Sequence, residues 1–586
     1  MRQWMVAAKK ADFYAIAEKF HVDPVVARII RNREVIGEKN IRIYLGGNLS
    51  DLSDPHQMKD MDRLGEILAQ KIRKQVHIRI IGDYDVDGVT SSHLFLTALR
   101  RVGAKVDVVI PHRIQDGYGL SLHLLQQAKE DGVDTILTCD NGIAAIDEIA
   151  WAKAQKMTVL VTDHHAVPFE EHEGRRTEKK SLADAVVNPH QQDCRYPYKE
   201  LCGAGVAWNV IRVLYENYDM DKREAEDLLD FVAMATVCDV MSLTGENRIL
   251  VKEGLKRIRH TKNIGLQALM QACNVQPENI SAYHFGYVLG PCVNATGRLD
   301  TARHALRLFE TGQETEAEEI ARDLVDLNQE RKELTLQGVE MAKKLCEEGG
   351  YENDPILVLF LPDVHESIAG LIAGRIREMY NRPVFVLTRG EEGVKGSGRS
   401  TENYSMYENM CGCAELFTKF GGHPMAAGLS LPEENVEKFR RKINENCPLT
   451  VEEVCPDIHI DMAMPVGYAS TELVHQFALL EPFGKDNPSP LFADRNLSIS
   501  RMWLIGKNRN VLRMSVLSEY GQPVPVIFFG DVETLFAYFT EKFGQEEVEN
   551  ALHGRKNRIL FSMVYTAKID FYQGNENLQL EMKYYR

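Results

Sequence analysis

The sequence predicts an α/β protein: a parallel, doubly wound domain, a long connecting helix, a smaller α/β domain and an all-β barrel at the end. Three observations carry this. From Val76, short apolar runs rich in β-branched residues alternate with helical stretches. Between Glu314 and Glu348 apolar residues recur at helical spacing (Ile320, Leu324, Leu327, Leu334) until Gly349-Gly350 stops them. From about Cys455 the runs become strand-like.

A chain of 586 residues is too long for one core. The expected domains are 1–50, helical and linker-like; 51–300, doubly wound; 301–350, connector; 351–447, the smaller α/β domain; and 448–586, barrel. Hydrophobic and charged contents of 44% and 26% are those of an ordinary soluble protein. No run reaches the apolar length of a membrane span, and Met1 to Phe20 is too charged for a signal peptide. Of eleven cysteines only Cys411 and Cys413 stand close, so neither a zinc site nor a disulfide framework is indicated. Cytoplasm, without membrane attachment, is the expected location. A net charge of −16 argues against non-specific nucleic-acid binding by the whole surface, but leaves room for a local basic channel.

In order, strand 76–81 precedes helix 89–101, strand Lys105–Ile110, helix Leu120–Glu130, strand Asp134–Thr138, helix Ile143–Gln155, strand Met157–Val161 and a short run, Ala185–Val187. Such alternation means a parallel sheet, and its ligands bind beyond the strand C-termini. The acids fall there. Asp83, Asp85 and Asp87 follow the first strand, Asp140 the third, and Asp163-His164-His165 the fourth. Crowded carboxylates repel one another, so a fold keeps them together when a cation sits among them. An EF-hand is excluded, because its twelfth loop position is Leu94 rather than Glu. Asp and His without thiolate suit Mn²⁺ or Mg²⁺, and several carboxylates suit two ions that activate water for phosphoryl displacement. Asp239 ends the apolar helical segment Ala225–Val240, where a ligand and a mere cap are equally compatible with the spacing.

Asp83-Tyr84-Asp85-Val86-Asp87-Gly88, Asp140-Asn141-Gly142, Asp163-His164-His165 and Ala235-Thr236-Val237-Cys238-Asp239-Val240 resemble the four motifs of the DHH phosphoesterases, in the same order. The resemblance implies that Asp85, Asp87, Asp140, His164 and Asp239 ligate metal, with Asp83 a ligand or a group just behind them. It places His165 at the substrate phosphate, with Asp163 beside it as the second catalytic residue. Most relatives carry histidine four residues before the second aspartate. Ile81 stands there instead, as in the single-strand-specific exonuclease branch.

That branch is also resembled by Pro291–Leu299, which contributes Asn294 and Arg298 as substrate contacts, and by Glu481–Pro490. Arg113, in a glycine-bearing loop after the second strand, is a further phosphate candidate. Beyond the connector, strand Pro355–Leu361, helix Ser367–Tyr380 and strand Pro383–Leu387 begin a second α/β unit. It carries Lys395–Ser400 and Gly421-Gly422-His423, where glycines allow close approach to an anion. This stretch resembles the DHHA1 substrate domain and offers Ser397, Arg399 and His423. Val364-His365-Glu366-Ser367 departs from the branch's usual Trp-His-glycine pattern, which touches local substrate contacts rather than the fold. Strands Asn496–Ile505, Val511–Leu517 and Pro523–Phe529, helix Val532–Phe543, and strands Arg558–Tyr565 and Leu578–Tyr585 follow the order of an OB-fold. Arg501, Trp503, Lys507, Arg509 and Arg513, near Arg495 and Tyr520, form a basic, aromatic hairpin suited to single strands.

The expected function is a two-metal (Mn²⁺ or Mg²⁺) 5′→3′ exonuclease that cuts single-stranded DNA to 5′-mononucleotides in repair and recombination. The implied partners are single-stranded DNA, a single-strand-binding protein and a helicase, with the chain itself a monomer. Two alternatives stand: a phosphodiesterase of short oligonucleotides or cyclic dinucleotides, and a non-catalytic single-strand-binding scaffold. The scaffold would be expected to lose metal ligands, whereas every motif carboxylate and histidine is present.

Overall fold

A computed structural model describes residues 3–112, 119–172, 175–299, 301–390, 393–506, 510–572 and 574–586. Arg113, Lys507 and Arg509 lie outside them. The chain forms two compact units. One spans Leu52–Pro456; the other joins Gln3–Asp51 to Asp457–Arg586.

In the first unit the strands β1 (His77–Ile81), β2 (Lys105–Val109), β3 (Thr135–Cys139), β4 (Thr158–Thr162) and β5 (Ala185–Val187) form one sheet in the order β2-β1-β3-β4-β5. Every pairing is parallel. Helices α1 (Val86–Arg101), α2 (Leu122–Glu130) and α3 (Ile146–Ala154) make the crossovers. Ile80, Ile81, Ile136, Leu137, Leu160 and Val161 are all buried, which is why these strands read as continuous apolar runs rather than alternating ones. The strand order reverses between β2 and β3 around β1, leaving a crevice at the C-terminal edge.

Helix α1 begins three residues earlier than its sequence pattern predicts. Asp85 caps it, its carboxylate accepting from Gly88 N at 3.0 Å, and Asp87 lies within the first turn. The three aspartates therefore differ in place: one follows a strand, one caps a helix, one is helical. After α4 (Gly203–Glu216), the expected helical segment Ala225–Val240 divides into Lys222–Glu226 and α5 (Leu229–Cys238), and Asp239 is the C-cap of α5. A π-helical turn, Phe285–Leu289, leads into α6 (Gly290–Leu299).

The connector α7 (Glu314–Glu348) has the predicted bounds. Ala317, Ile320, Ala321 and Leu324 are buried in its first half, and Val339, Ala342 and Cys346 join the core of the second domain. That domain holds β6 (Leu357–Phe360), α8 (Glu366–Tyr380), β7 (Val384–Gly390), β8 (Gly393–Arg399), β9 (Lys419–His423) and β10 (Ala426–Leu431). The sheet order is β9-β10-β8-β7-β6. Both glycine-rich segments thus lie on strands.

In the second unit β11 (Phe492–Ile505), β12 (Val511–Leu517), β13 (Pro523–Phe528), β14 (Leu560–Tyr572) and β15 (Asn575–Tyr585) run β11-β12-β13-β15-β14, and β11 also pairs with β14. That extra pairing closes the barrel. Helices α9 (Val532–Phe543) and α10 (Gln545–Leu552) lie between β13 and β14, the second of them unexpected from sequence.

Residues 3–51 are not a linker. Trp4–Val6 pairs in parallel with Ile458–Ile460, and Val26, Ile29, Ile30 and Tyr44 share a core with Val466, Leu473 and Leu480. Arg33 forks onto Asp461 (Nη1–Oδ1 2.7 Å, Nη2–Oδ2 3.1 Å), both side chains almost buried. Among the described residues no helix is long and apolar enough to cross a membrane.

Candidate metal centre

Four chain segments bring their acids to the crevice. Asp83 follows β1, and a Cβ on Gly88 would stand 2.4 Å from Asp83 O, so only glycine lets the loop fold this tightly. Asp140 follows β3 with its backbone at φ +63°, a region an aspartate tolerates better than most residues. Asn141 ties the two strand ends together, its amide donating to Ile81 O (3.0 Å) and Cys139 O (2.9 Å). His164 follows β4, and Asp239 caps α5.

His164 Nε2 lies 3.0 Å from Asp140 Oδ1, 3.6 Å from Asp239 Oδ2 and 3.7 Å from Asp87 Oδ2. Ligand atoms of Asp87, His164 and Asp239 fall within 4.8 Å of one another, as do those of Asp83, Asp85 and Asp140. Two triads of oxygen and nitrogen donors thus adjoin through Asp140 and His164. Asp83 Oδ1 is buried with no hydrogen-bond donor among the described residues. Burial and the neighbouring carboxylates push Asp83, Asp85 and Asp140 above the usual carboxylate range. Burial pushes His164 down, keeping it neutral and ligand-competent. Buried, mutually repelling acids beside a neutral imidazole, with an orphaned oxygen, fit a pair of divalent cations.

Asp163 serves differently. Its Oδ1 accepts from His164 N (2.7 Å), His165 N (3.0 Å) and His165 Nδ1 (2.7 Å), and its Oδ2 accepts from Ile143 N (2.9 Å). It therefore orients His165 rather than joining the cluster. Burial works against charge on His165, but the bond to Asp163 and the Asp239 and Asp87 carboxylates outweigh it, raising the ring to about 9.

One support escapes the motifs. Asp87 accepts from Gly203 N (2.6 Å) and Ala204 N (2.7 Å), the first amides of α4, so it stands at that helix's positive end. A Cβ on Gly203 would meet Asp140 Cβ at 2.6 Å. The glycine pair in Cys202-Gly203-Ala204-Gly205 is the only sequence signal, and without the fold it reads as an ordinary helix start.

The remaining candidates separate. Asn294 Oδ1 accepts from Val86 N at 3.1 Å, so it holds the metal loop. A Cβ on Gly297 would lie 2.4 Å from Tyr84 O, and the next residue, Arg298, donates from Nη1 to Ser367 O at 2.6 Å. Ser367 lines a cavity of about 470 Å³ on the second domain, between α8 and the sheet. Cross-strand register explains its chemistry. The rungs Lys395/Ser430/Lys419, Ser397/Gly428/Gly421 and Arg399/Ala426/His423 put two lysines, two serines, an arginine and a histidine on one face, with Gly428, Gly421 and Ala426 between them. Arg399 Nη1 donates to Gly398 O (2.7 Å) and Ser397 Oγ (3.3 Å).

On the barrel, Trp503 stands opposite Arg513, and Arg501 lies 5.7 Å over the Trp503 ring. The three alternate with buried Met502, Leu512 and Met514, so they occupy the outer face. Arg495 is exposed on β11, and Tyr520 is exposed beyond β12.

Known proteins correspond along the whole chain. The DHH family N-terminal domain matches residues 77–236, the DHHA1 domain 353–447 and the RecJ OB domain 460–584. The single-stranded-DNA-specific exonuclease RecJ of Haemophilus influenzae is 32% identical over 96% of this chain and 96% of its own. The Bacillus subtilis protein of the same name is 33% identical over 87% of this chain, a match that takes in 63% of its longer sequence. A crystal structure of Thermus thermophilus RecJ in complex with Mn²⁺ superposes with a TM-score of 0.81 at 25% identity, covering all of this chain and 79% of that one.

Proposed function

The chain belongs to the RecJ family of DHH exonucleases, and from that premise we propose that it hydrolyses single-stranded DNA from the 5′ end, releasing 5′-mononucleotides. The observation that supports this best is the pair of adjoining triads at the sheet edge, one of Asp87, His164 and Asp239 and one of Asp83, Asp85 and Asp140, linked through consecutive residues of α6 to the basic face of the second domain. Asp83, Asp85, Asp87, Asp140, His164 and Asp239 would hold two Mn²⁺ or Mg²⁺ ions. When bound, such ions lower the pKa of water and neutralise the charge that develops on a phosphate.

The chain's own residues do the rest. Asp163 occupies Nδ1 of His165, so the role at the scissile phosphate falls to Nε2. Asn294 keeps the metal loop in register with α6. The Lys/Ser/Arg/His face of the second domain binds the strand's terminal phosphate, with Arg399 bonded to Ser397 and His423 on the same cross-strand rung as Arg399. Arg501, Trp503 and Arg513 hold the trailing strand by charge and stacking. Lys507, Arg509 and Arg113 belong to the same proposal on sequence grounds.

A nuclease that needs a free single-stranded end suits a monomer working in the cytoplasm beside a helicase and a single-strand-binding protein, in repair and recombination. The complete donor set disfavours a non-catalytic scaffold, and the closed barrel with its basic face disfavours a substrate of only two or three nucleotides. End-labelled single-stranded DNA, RNA and duplex, digested in parallel with each metal, test the proposal. Rapid release of mononucleotides from 5′-labelled single-stranded DNA is expected. Equal digestion of duplex, or release confined to dinucleotides, would refute it.

A further inference from the structure

A cavity of about 790 Å³ lies in the catalytic domain and shares no residue with the metal cluster. Its size falls in the range of small-ligand sites. Two helices reach both places. α1 carries Asp87 at its start and His93 and Arg100 further on, about 9 and 20 Å along the axis at ~1.5 Å per residue. α5 carries Asp230 and Phe231 at the cavity and ends at Asp239.

The cavity has an aromatic wall. His93 and Phe231 have ring centroids 4.4 Å apart, Phe231 and Phe309 5.0 Å, and His93 and Phe309 5.9 Å. The wall also carries unsatisfied polar atoms. His93 is only 6% exposed, yet its Nδ1 has no hydrogen-bond partner among the described residues. Burial drives its pKa down to about 3, so the ring is neutral and offers one donor and one acceptor. Glu310 Oε1 is likewise buried without a hydrogen bond, its nearest cation being Arg100 Nη1 at 3.9 Å. Buried polar atoms of this kind are rare in folded proteins, and the two at this cavity call for a water, an ion or a ligand group.

The rim supplies the opposite chemistry. Arg257 is neutralised by Glu226 and Asp227, whereas Lys262 is 91% exposed and only loosely paired, 3.8 Å from Asp227. Lys256 on the same rim is paired with Glu253 at 2.6 Å, which leaves Lys262, beside His260, as the cation for an incoming anion. A flat, hydrogen-bonding ring fits the wall, an amine on that ring fits Glu310, and an anionic group fits Lys262. Phosphate and base together make a nucleotide.

We propose that this cavity binds a mononucleotide whose base carries an exocyclic amine, and that the bound nucleotide modulates the metal centre through α1 and α5. The modulation rests on the nuclease reading above; the binding does not. Calorimetry on the full chain in EDTA separates them, with 5′-dCMP as probe. With the second domain's anion face filled by a 5′-phosphorylated oligothymidine, dCMP is expected to bind one further site. There dUMP, which presents a carbonyl where dCMP presents the amine, is expected to bind about tenfold more weakly or worse, and inorganic phosphate should not compete. His93→Phe, which keeps the ring, and Lys262→Glu, at an exposed position that folding tolerates, should each weaken dCMP by about tenfold. Asp140→Asn should leave it unchanged. No binding at millimolar dCMP, or binding that Asp140→Asn removes and Lys262→Glu does not, overturns the site.

With Mn²⁺ present, both chains share whatever product inhibition dCMP exerts at the metal centre; the wild-type chain alone should show a further change in kcat, and the basal turnover of Lys262→Glu stays the same. The same response in both, or none in either, overturns the modulation.

Discussion

At Asp140 the backbone adopts a left-handed conformation, and the carboxylate is buried against Asp87, Asp85, Asp239 and Asp83. A fold that lacks a cation gains nothing from this placement. Asp140→Asn should therefore raise the melting temperature of the metal-free protein while abolishing the rise that Mn²⁺ produces, and should lower kcat by about 10³-fold. Differential scanning fluorimetry with and without Mn²⁺ reads the first, a single-turnover assay the second; normal turnover at saturating Mn²⁺ would remove Asp140 from the site. Asp230 isolates the effect of burial from that of metal. Burial raises its pKa to about 6 despite hydrogen bonds from Thr261 Oγ1 and Phe231 N. A carboxyl raised in the folded state contributes its stability fully below the unfolded pKa, near 4, and loses it as pH rises through 6. Asp230→Asn should thus be the more stable at pH 8, by up to about 3 kcal/mol, and lose that advantage by pH 4. A constant difference between the two in urea unfolding across that range would mean Asp230 titrates normally. Arg399 tests the anion face. Its planar fork can grip a terminal phosphate in two directions, which lysine cannot. Arg399→Lys should reduce the preference for 5′-phosphorylated over 5′-hydroxyl DNA several-fold in kcat/KM and leave Mn²⁺ affinity alone. An unchanged ratio would place the phosphate pocket elsewhere.

At the scale of elements, what the sequence discloses is what local chemistry determines. Parallel strands buried on both faces announce themselves as apolar runs, and α7 keeps its bounds because its periodicity and the glycine stop agree. The acids were legible because three strand ends deliver them to one edge. Start points were less so: Asp85 reads as part of an acidic turn until its bond to Gly88 N shows a helix cap. Long-range supports left little trace. The glycine pair around Gly203 reads as an ordinary helix start and does not disclose that its amide holds Asp87, 116 residues earlier in the chain, and the cross-sheet partners of the second domain's glycine-rich segments are invisible in one dimension. Helix α6 shows the consequence for function. Asn294 was expected at the substrate, but it bonds Val86 N, while Gly297 abuts Tyr84 O and Arg298 reaches Ser367 O. Supports of this kind, one bond behind a ligand, typically matter by about 10–100-fold. Asn294→Ala should lower apparent Mn²⁺ affinity by about that factor, leave the affinity for single strands in EDTA intact, and recover in part in Asn294→Asp. Loss of DNA affinity without loss of metal affinity would return Asn294 to the substrate.

At the scale of the whole molecule, the two ends of the chain fold together. Residues 3–51 bury Val26, Ile29, Ile30 and Tyr44 in the same core as Val466 and Leu473, pair a strand with Ile458–Ile460, and satisfy Asp461 with Arg33. A truncation that removes only 457–586 strips that apolar surface of its cover and leaves Arg33 without its carboxylate, so the product should aggregate, for reasons unrelated to DNA. Removing 3–51 as well leaves Leu52–Pro456, a compact unit with its own cores and all six candidate metal ligands. The barrel's basic, aromatic face adds affinity along the strand, whereas the Asp/His triads lie entirely in the retained unit. The double truncation should therefore be soluble, should digest oligonucleotides of about four residues at a rate near that of the full chain, and should bind long single strands far more weakly. Its affinity should also respond less to salt, since each lost phosphate contact removes about 0.7 from the slope of log K against log salt for single strands. Fluorescence anisotropy on a 30-nucleotide strand at several salt concentrations, beside turnover on a short one, measures both. Equal losses on long and short substrates would mean that the barrel supports the catalytic unit instead of holding DNA.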